Sequence, residues 1–117
     1  FCNKDEATAF TGTETLDAAS EALKQYTKTF AITDGAKGAV TFDGDSLSQS
    51  EGVKAEAIDT NGAGDMFAGA FLYAITSGKN YGWAADLAND CAAKVVARFG
   101  PRLDPDDFTS IKQRFGI

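Results

Sequence analysis

The stretch Asp59-Thr60-Asn61-Gly62-Ala63-Gly64-Asp65 constrains this chain more than any other. It sets two glycines and two carboxylates directly ahead of an apolar-periodic segment. Met66, Phe67, Ala70, Phe71 and Ala74 recur at the spacing of one helix face, so the glycines fall where a helix begins. A helix start offers unpaired backbone N–H groups and the positive end of the dipole, and both favour an anion. Glycine lets that anion reach the backbone with no Cβ in the way. Asp65, in the first turn, would sit beside it, an arrangement suited to phosphoryl transfer with Asp65 as base. The plain alternative is a tight strand-to-helix turn without a ligand, with Asp59 as a simple turn or cap residue.

At 117 residues the chain can build one small core. The net charge of −6, with no Lys/Arg cluster, argues against a nucleic-acid surface. There is no apolar run of membrane-spanning length and no recognisable secretory signal. The sequence opens on Phe1-Cys2 rather than Met and is expected to be part of a longer protein. Cys2 and Cys91 are far apart and are expected to be reduced thiols of a cytosolic protein. With no histidine and no clustered cysteines, a zinc or haem site is improbable.

Taken in order, Phe1-Cys2 reads as the end of a buried strand. Asn3 is a natural N-cap with Glu6 as its capping-box partner, opening a helix that ends near Gly12. A metal-site reading of this pair stays open beside the cap. A second helix is expected from Thr13 or Thr15 to about Lys28, with Leu16, Ala19, Ala22, Leu23 and Tyr26 on its apolar face. Thr29–Thr33 and Ala39–Phe42 read as strands around a Gly-punctuated turn, Asp34–Gly38. Asp43-Gly44 signals a hairpin into a strand near Ser46–Ser50, and a further strand is expected at Val53–Ile58. After the glycine stretch come a helix to about Ser77, closed by Gly78, and a long helix from Tyr81 to Phe99 stopped by Gly100-Pro101. Asp104 and Pro105 open a last one, running to about Phe115. The pattern is α/β. The Walker sequence G-x-x-x-x-G-K-[ST] is absent, and Phe67 stands where a dinucleotide fingerprint wants glycine.

The stretch Asp59–Asp65 resembles the D-T-x-G-A-G-D signature of the ribokinase-like (PfkB) sugar and nucleoside kinases, and every fixed position matches. Asn3-x-x-Glu6 resembles that family's N-x-x-E motif, and Thr33-Asp34-Gly35-Ala36-Lys37-Gly38 its T-x-G-x-x-G nucleotide loop. The order and spacing fit along the whole chain. The resemblance implies an α/β fold, the C-terminal part of a ribokinase-like α/β/α sandwich with Rossmann-like layering. Residues 1–117 would be the ATP-binding and catalytic part, with the N-terminal acceptor-binding part and lid lying outside them. It implies an ATP-dependent kinase that moves the γ-phosphoryl to a hydroxyl of a sugar or nucleoside.

Carried over residue by residue, the resemblance makes Asp65 the base, and the backbone N–H groups of Gly62, Ala63 and Gly64 the anion hole. Thr33, Gly35 and Gly38 would line the nucleotide, with Asn89 approaching the adenine. Asn3 and Glu6 would help place Mg²⁺ through water. Asp59 would belong to a monovalent-cation (K⁺) loop, with Gly100 nearby. The partners implied are small molecules, neither nucleic acid nor membrane, in the cytoplasm. The DTNGAGDMFAGAFL run and Phe99-Gly100-Pro101-Arg102-Leu103 look most like bacterial adenosine-kinase-type members, with a ribose or fructose kinase as runner-up. The alternative of a different class is a non-catalytic nucleotide- or phosphate-binding fragment, for which a homodimer would cover an exposed sheet edge. Asp34 and Lys37 are expected to be surface turn residues, and Tyr81 and Trp83 to serve core or interface.

Overall fold

The computed structural model describes residues 1–52, 62–96 and 105–116. The strand expected at Val53–Ile58, Asp59 of the cation loop, Gly100-Pro101 and the Asp104 cap lie outside them. Two strand residues, β1 (Cys2–Asn3), lead into helix α1 (Lys4–Thr11). Asn3 caps it as the sequence suggests. Its Oδ1 accepts from Glu6 N at 2.8 Å, and its own N–H donates to Glu6 Oε1 at 3.0 Å, a complete capping box. Gly12, at φ +69°, closes the helix in the left-handed region.

Helix α2 (Leu16–Leu23), capped by Thr15, ends one turn sooner than its apolar pattern predicts. The reason is tertiary. Tyr26 stacks edge-on with Phe10 of α1 at 5.2 Å, and both rings remain largely exposed. The chain tightens through Gln25 N to Ala22 O and Tyr26 N to Leu23 O, bonds that span three residues. Tyr26 therefore leaves the buried face on which the periodicity puts it.

Strands β2 (Phe30–Thr33), β3 (Gly38–Phe42) and β4 (Leu47–Glu51) complete a sheet in the order β1-β2-β3-β4. The first pair is parallel and the other two are antiparallel. Asp43 makes the β3–β4 turn by accepting from Asp45 N and Ser46 N at 2.9 Å, and these backbone bonds hold its carboxyl below the usual range. Phe1, expected at the end of a buried strand, directly precedes β1 (Cys2–Asn3). β1 is the outer strand among the described residues, and the Phe1 ring, 60 % exposed in this chain, is set edge-on against Phe67 and Phe71.

Three helices follow: α3 (Ala63–Thr76), α4 (Tyr81–Val96) and α5 (Pro105–Phe115). Gly78, at φ +87°, follows α3 as expected. Strand alternation divides the core. Ala31 and Ala39 pack with Phe67, Phe71, Ala74, Ala84, Leu87, Ala88, Cys91 and Ile111 on one face. Phe30, Ile32 and Phe42 pack with Ala7, Ala19 and Leu23 on the other. The result is a three-layer arrangement, α1 and α2 against one side of the sheet and α3 to α5 against the other. The small residues of α4 let α3 approach it closely, and this is the most extensive helix pair. Tyr81 and Trp83 pack at the edge of that core, as the sequence suggests.

Candidate active site

Register brings the separate motifs to one end of the sheet. Asn3 pairs with Thr33, Thr33 with Ala39, and Ala39 with Ser50, while Gly38 pairs with Glu51. Asn3, the Thr33–Gly38 turn and the end of β4 thus lie side by side at the carboxyl ends of β1 and β2. That is where open α/β sheets bind ligands.

The turn itself is a short 3₁₀ segment, Gly35–Lys37. Asp34 N donates to Gly38 O at 2.8 Å, and Lys37 N to Asp34 O at 3.0 Å. Gly35 and Gly38 have φ of +52° and +112°, conformations that disfavour any side chain. Gly38 has a second constraint, because a Cβ there would stand 1.9 Å from Ser50 O. Gly52 meets the turn from the other side, where a Cβ would stand 1.9 Å from Ala36 O and 2.7 Å from Gly38 N. Two backbones pass here at a distance only glycine allows. The exposed Lys37 and half-exposed Asp34 are turn residues, as expected.

Helix α3 follows on the other side of the sheet from α1 and α2. Phe71, Leu72 and Ile75 line one small cavity with Thr29, Phe30 and Ala31 at the start of β2. Phe67, a turn earlier in the helix, packs in the cluster that holds Ala31 and Ala39. Helix α3 therefore lies on the face of the sheet that carries Ala31 and Ala39. Gly62 occupies the N-cap at φ +81°, and among the described residues no side chain caps the helix. The first intrahelical bond is Met66 N to Gly62 O at 2.9 Å, so the N–H groups of Ala63, Gly64 and Asp65 have no partner within the helix. Gly64 has open space where a Cβ would stand. Asp65 is exposed and makes no hydrogen bond or ion pair with a described residue.

Asn89 lies elsewhere on the rim, on α4. It is 7 % exposed, and its Nδ2 donates to Ser50 Oγ at 2.8 Å and faces Glu51 O at 3.4 Å. Ser50 Oγ in turn donates to Asp86 Oδ1 at 2.5 Å. Ser50, Gly52 and Asp86 carry no sequence motif. Gly52, a glycine just beyond a strand pattern, was the one readable sign of a close backbone approach. Among the described residues no group of three or more His, Cys, Asp or Glu side chains is placed to hold a metal ion. Both cysteines are free, and burial raises the pKa of each thiol.

The fold is a three-layer α/β arrangement with a glycine-started helix on one face of its sheet. The family model described as pfkB family carbohydrate kinase matches residues 1–107, and the chain belongs to that family. A ribokinase from Lactococcus lactis is 30 % identical over 97 residues, 83 % of this chain and 32 % of that protein. The crystal structure of a probable sugar kinase from Rhizobium etli superimposes with a TM-score of 0.91 at 30 % identity, covering 100 % of this chain and 36 % of the other. That of an adenosine kinase from Sinorhizobium meliloti gives 0.88 at 34 %, covering 97 % and 35 %. The chain thus spans about a third of the length of the relatives it matches. No described helix is long and apolar enough to cross a membrane.

Proposed function

We propose that the protein to which this chain belongs is an ATP-dependent kinase that transfers the γ-phosphoryl group to a hydroxyl of a sugar or nucleoside. The observation that carries the reading is the glycine start of α3, where among the described residues no side chain caps the helix and none bonds to Asp65 in its first turn. Residues 1–117 supply its ATP-binding and catalytic part. The N–H groups from Gly62 to Gly64 receive the charge that develops on the transferred phosphoryl. Asp65 takes the acceptor's proton as the new O–P bond forms and the bond to the leaving ADP oxygen breaks. Phosphoryl transfer asks little covalent help of a protein, so placement and charge compensation carry the rate. A carboxylate is a weak base, and Asp65 acts mainly by position, receiving the proton late.

Thr33, Gly35 and Gly38 lie along the nucleotide, with Asn89 at the base. The fixed carboxylate of the Asn3 motif is Glu6, one of whose oxygens is committed to the cap. That donor set suits Mg²⁺ held through water and the nucleotide's own phosphates, since Mg²⁺ keeps several waters and needs few protein ligands. Mg²⁺ would supply charge neutralisation there. Asp59 serves a K⁺ loop in this reading, and the setting is cytoplasmic. Among acceptors we favour an adenosine-like nucleoside, in view of the local likeness to adenosine-kinase-type sequences, with ribose or fructose next.

The test is Asp65→Asn in the full-length protein, assayed against adenosine, other nucleosides, ribose and fructose. Turnover should fall by about 10²–10⁴ while ATP still binds. Near-wild-type turnover would remove Asp65 from the base role, and a wild-type protein that phosphorylates none of these acceptors would overturn the reading.

A further inference from the structure

The hydrogen bonds around Ser50 run in one direction only. A carboxylate oxygen accepts and does not donate, so the Ser50 hydroxyl spends its single proton on Asp86 Oδ1. The separation of 2.5 Å is in the range of an O–H···O⁻ bond. The hydroxyl can then only accept from Asn89, and the amide must turn its nitrogen toward it, at 2.8 Å. Glu51 O, also an acceptor, faces the same nitrogen at 3.4 Å. The amide orientation is therefore dictated by chemistry, not by the choice between two atoms of similar size. Nδ2 points into β4, and Oδ1 is the atom left to meet anything else. Among the described residues the buried side-chain atoms without a partner are Thr41 Oγ1 and Asp90 Oδ2, and Asn89 Oδ1 is not among them.

This relay sits at the nucleotide turn. Ser50 pairs with Ala39, Glu51 pairs with Gly38, and Ser50 O lies against the Cα of Gly38. We propose that Asp86, acting through Ser50, is a positioning residue that fixes Asn89 as a hydrogen-bond acceptor toward the base. It thereby selects a 6-amino purine over a 6-oxo purine. The proposal rests on the reading of Asn89 as a base neighbour given above. Adenine offers a donor at its 6-amino group, whereas hypoxanthine offers an acceptor at the same place and would face Oδ1 oxygen to oxygen. Asp86 is exposed and bonds to Ser50 rather than to Asn89 itself, so its effect on base choice would be indirect.

The experiment compares ATP with inosine triphosphate, which differs at the 6-position and the adjoining ring nitrogen. Dissociation constants for both are measured by calorimetry on the full-length protein, for wild type and for Asp86→Asn, Ser50→Ala and Ser50→Thr. An amide at position 86 donates as readily as it accepts, so it frees the Ser50 proton and lets Asn89 turn over. Asp86→Asn and Ser50→Ala should each lower the preference for ATP by about tenfold, and Ser50→Thr, which keeps the hydroxyl, should retain it. A brace that merely stiffened β4 would weaken both nucleotides alike. An unchanged ratio, or parallel loss of both nucleotides, overturns the relay. If wild type phosphorylates an acceptor with either triphosphate equally, the kinase reading stands and this inference fails. If wild type binds neither nucleotide, both fail together.

Discussion

Gly64 and Gly52 look alike in the sequence and have opposite physics. Gly64 has helical φ and no described atom within 4 Å of where a Cβ would stand. Alanine fits there, and it is the better helix former by about 1 kcal/mol. If the first turn of α3 receives a phosphoryl oxygen, that methyl stands in the approach. Gly52 has ordinary φ but faces the Ala36 carbonyl at 1.9 Å from its notional Cβ, and neither backbone can yield cheaply. Urea unfolding and turnover of the full-length protein should therefore separate the two variants. Gly64→Ala should be as stable as wild type or slightly more so, with turnover reduced by about 10²-fold or more. Gly52→Ala should lose about 1–3 kcal/mol or more of stability. An active Gly64→Ala protein would show that the helix start is a turn and nothing else. The DTNGAGD stretch was legible because its constraint is local, a helix start written in adjacent residues. Gly52, Ser50 and Asp86 were not, because what fixes them comes from the preceding turn and from a helix more than thirty positions away.

Between elements, the clearest electrostatic tie joins α4 to α5. Asp90 is 2 % exposed, and its Oδ1 accepts from Arg114 at 2.7 Å. Lys94 approaches Oδ2 at only 3.8 Å, and that oxygen has no hydrogen bond. Truncating the arginine leaves the buried carboxylate with Lys94 at 3.8 Å as its remaining cation among the described residues, which is costly. Arg114 itself is mostly exposed, so water screens and partly replaces it. We expect Arg114→Ala to destabilise the protein by about 1–2 kcal/mol. Amide exchange should quicken first in α5 and only weakly in α3. Uniform exchange in both helices would mean that Ile111 and Phe115, not the ion pair, hold α5 in place. Helix ends follow the same logic of local against distant causes. Asn3 with Glu6, Gly12, Thr15 and Gly78 mark ends that adjacent residues determine, and the structure has them where the sequence puts them. The end of α2 depends on Tyr26 meeting Phe10, a contact that helical periodicity cannot express.

At the scale of the molecule, the sheet separates two cores, and only the α3–α4 side carries a buried thiol. The alternation of Phe30 and Ile32 against Ala31 could be read directly as a strand covered on both faces. The parallel pairing of β1 with β2 could not, since it depends on how α1 and α2 cross between them. Cys91 lies among Phe71, Ala84, Leu87 and Ala88. Burial there, aided by the Asp90 charge and opposed by Lys94, pushes its pKa from 9.0 up to about 11. Because the folded value is the higher, the thiol's contribution is fully present below pH 9. From pH 9 to 11 the unfolded chain releases a proton that the folded chain keeps, so stability falls with rising pH across that window and not below it. Tyrosines and lysines titrate there too, so the measurement must be a difference. Urea unfolding of wild type and Cys91→Ala at pH 8, 9, 10 and 11 gives it. The cavity left by the variant costs the same at every pH, while the thiol's contribution does not. The stability gap between the two proteins should hold steady up to pH 9 and then shift against wild type toward pH 11. A gap that stays constant throughout would mean that Cys91 ionises in the folded core as easily as in the open chain, and that water reaches the α3–α4 interface.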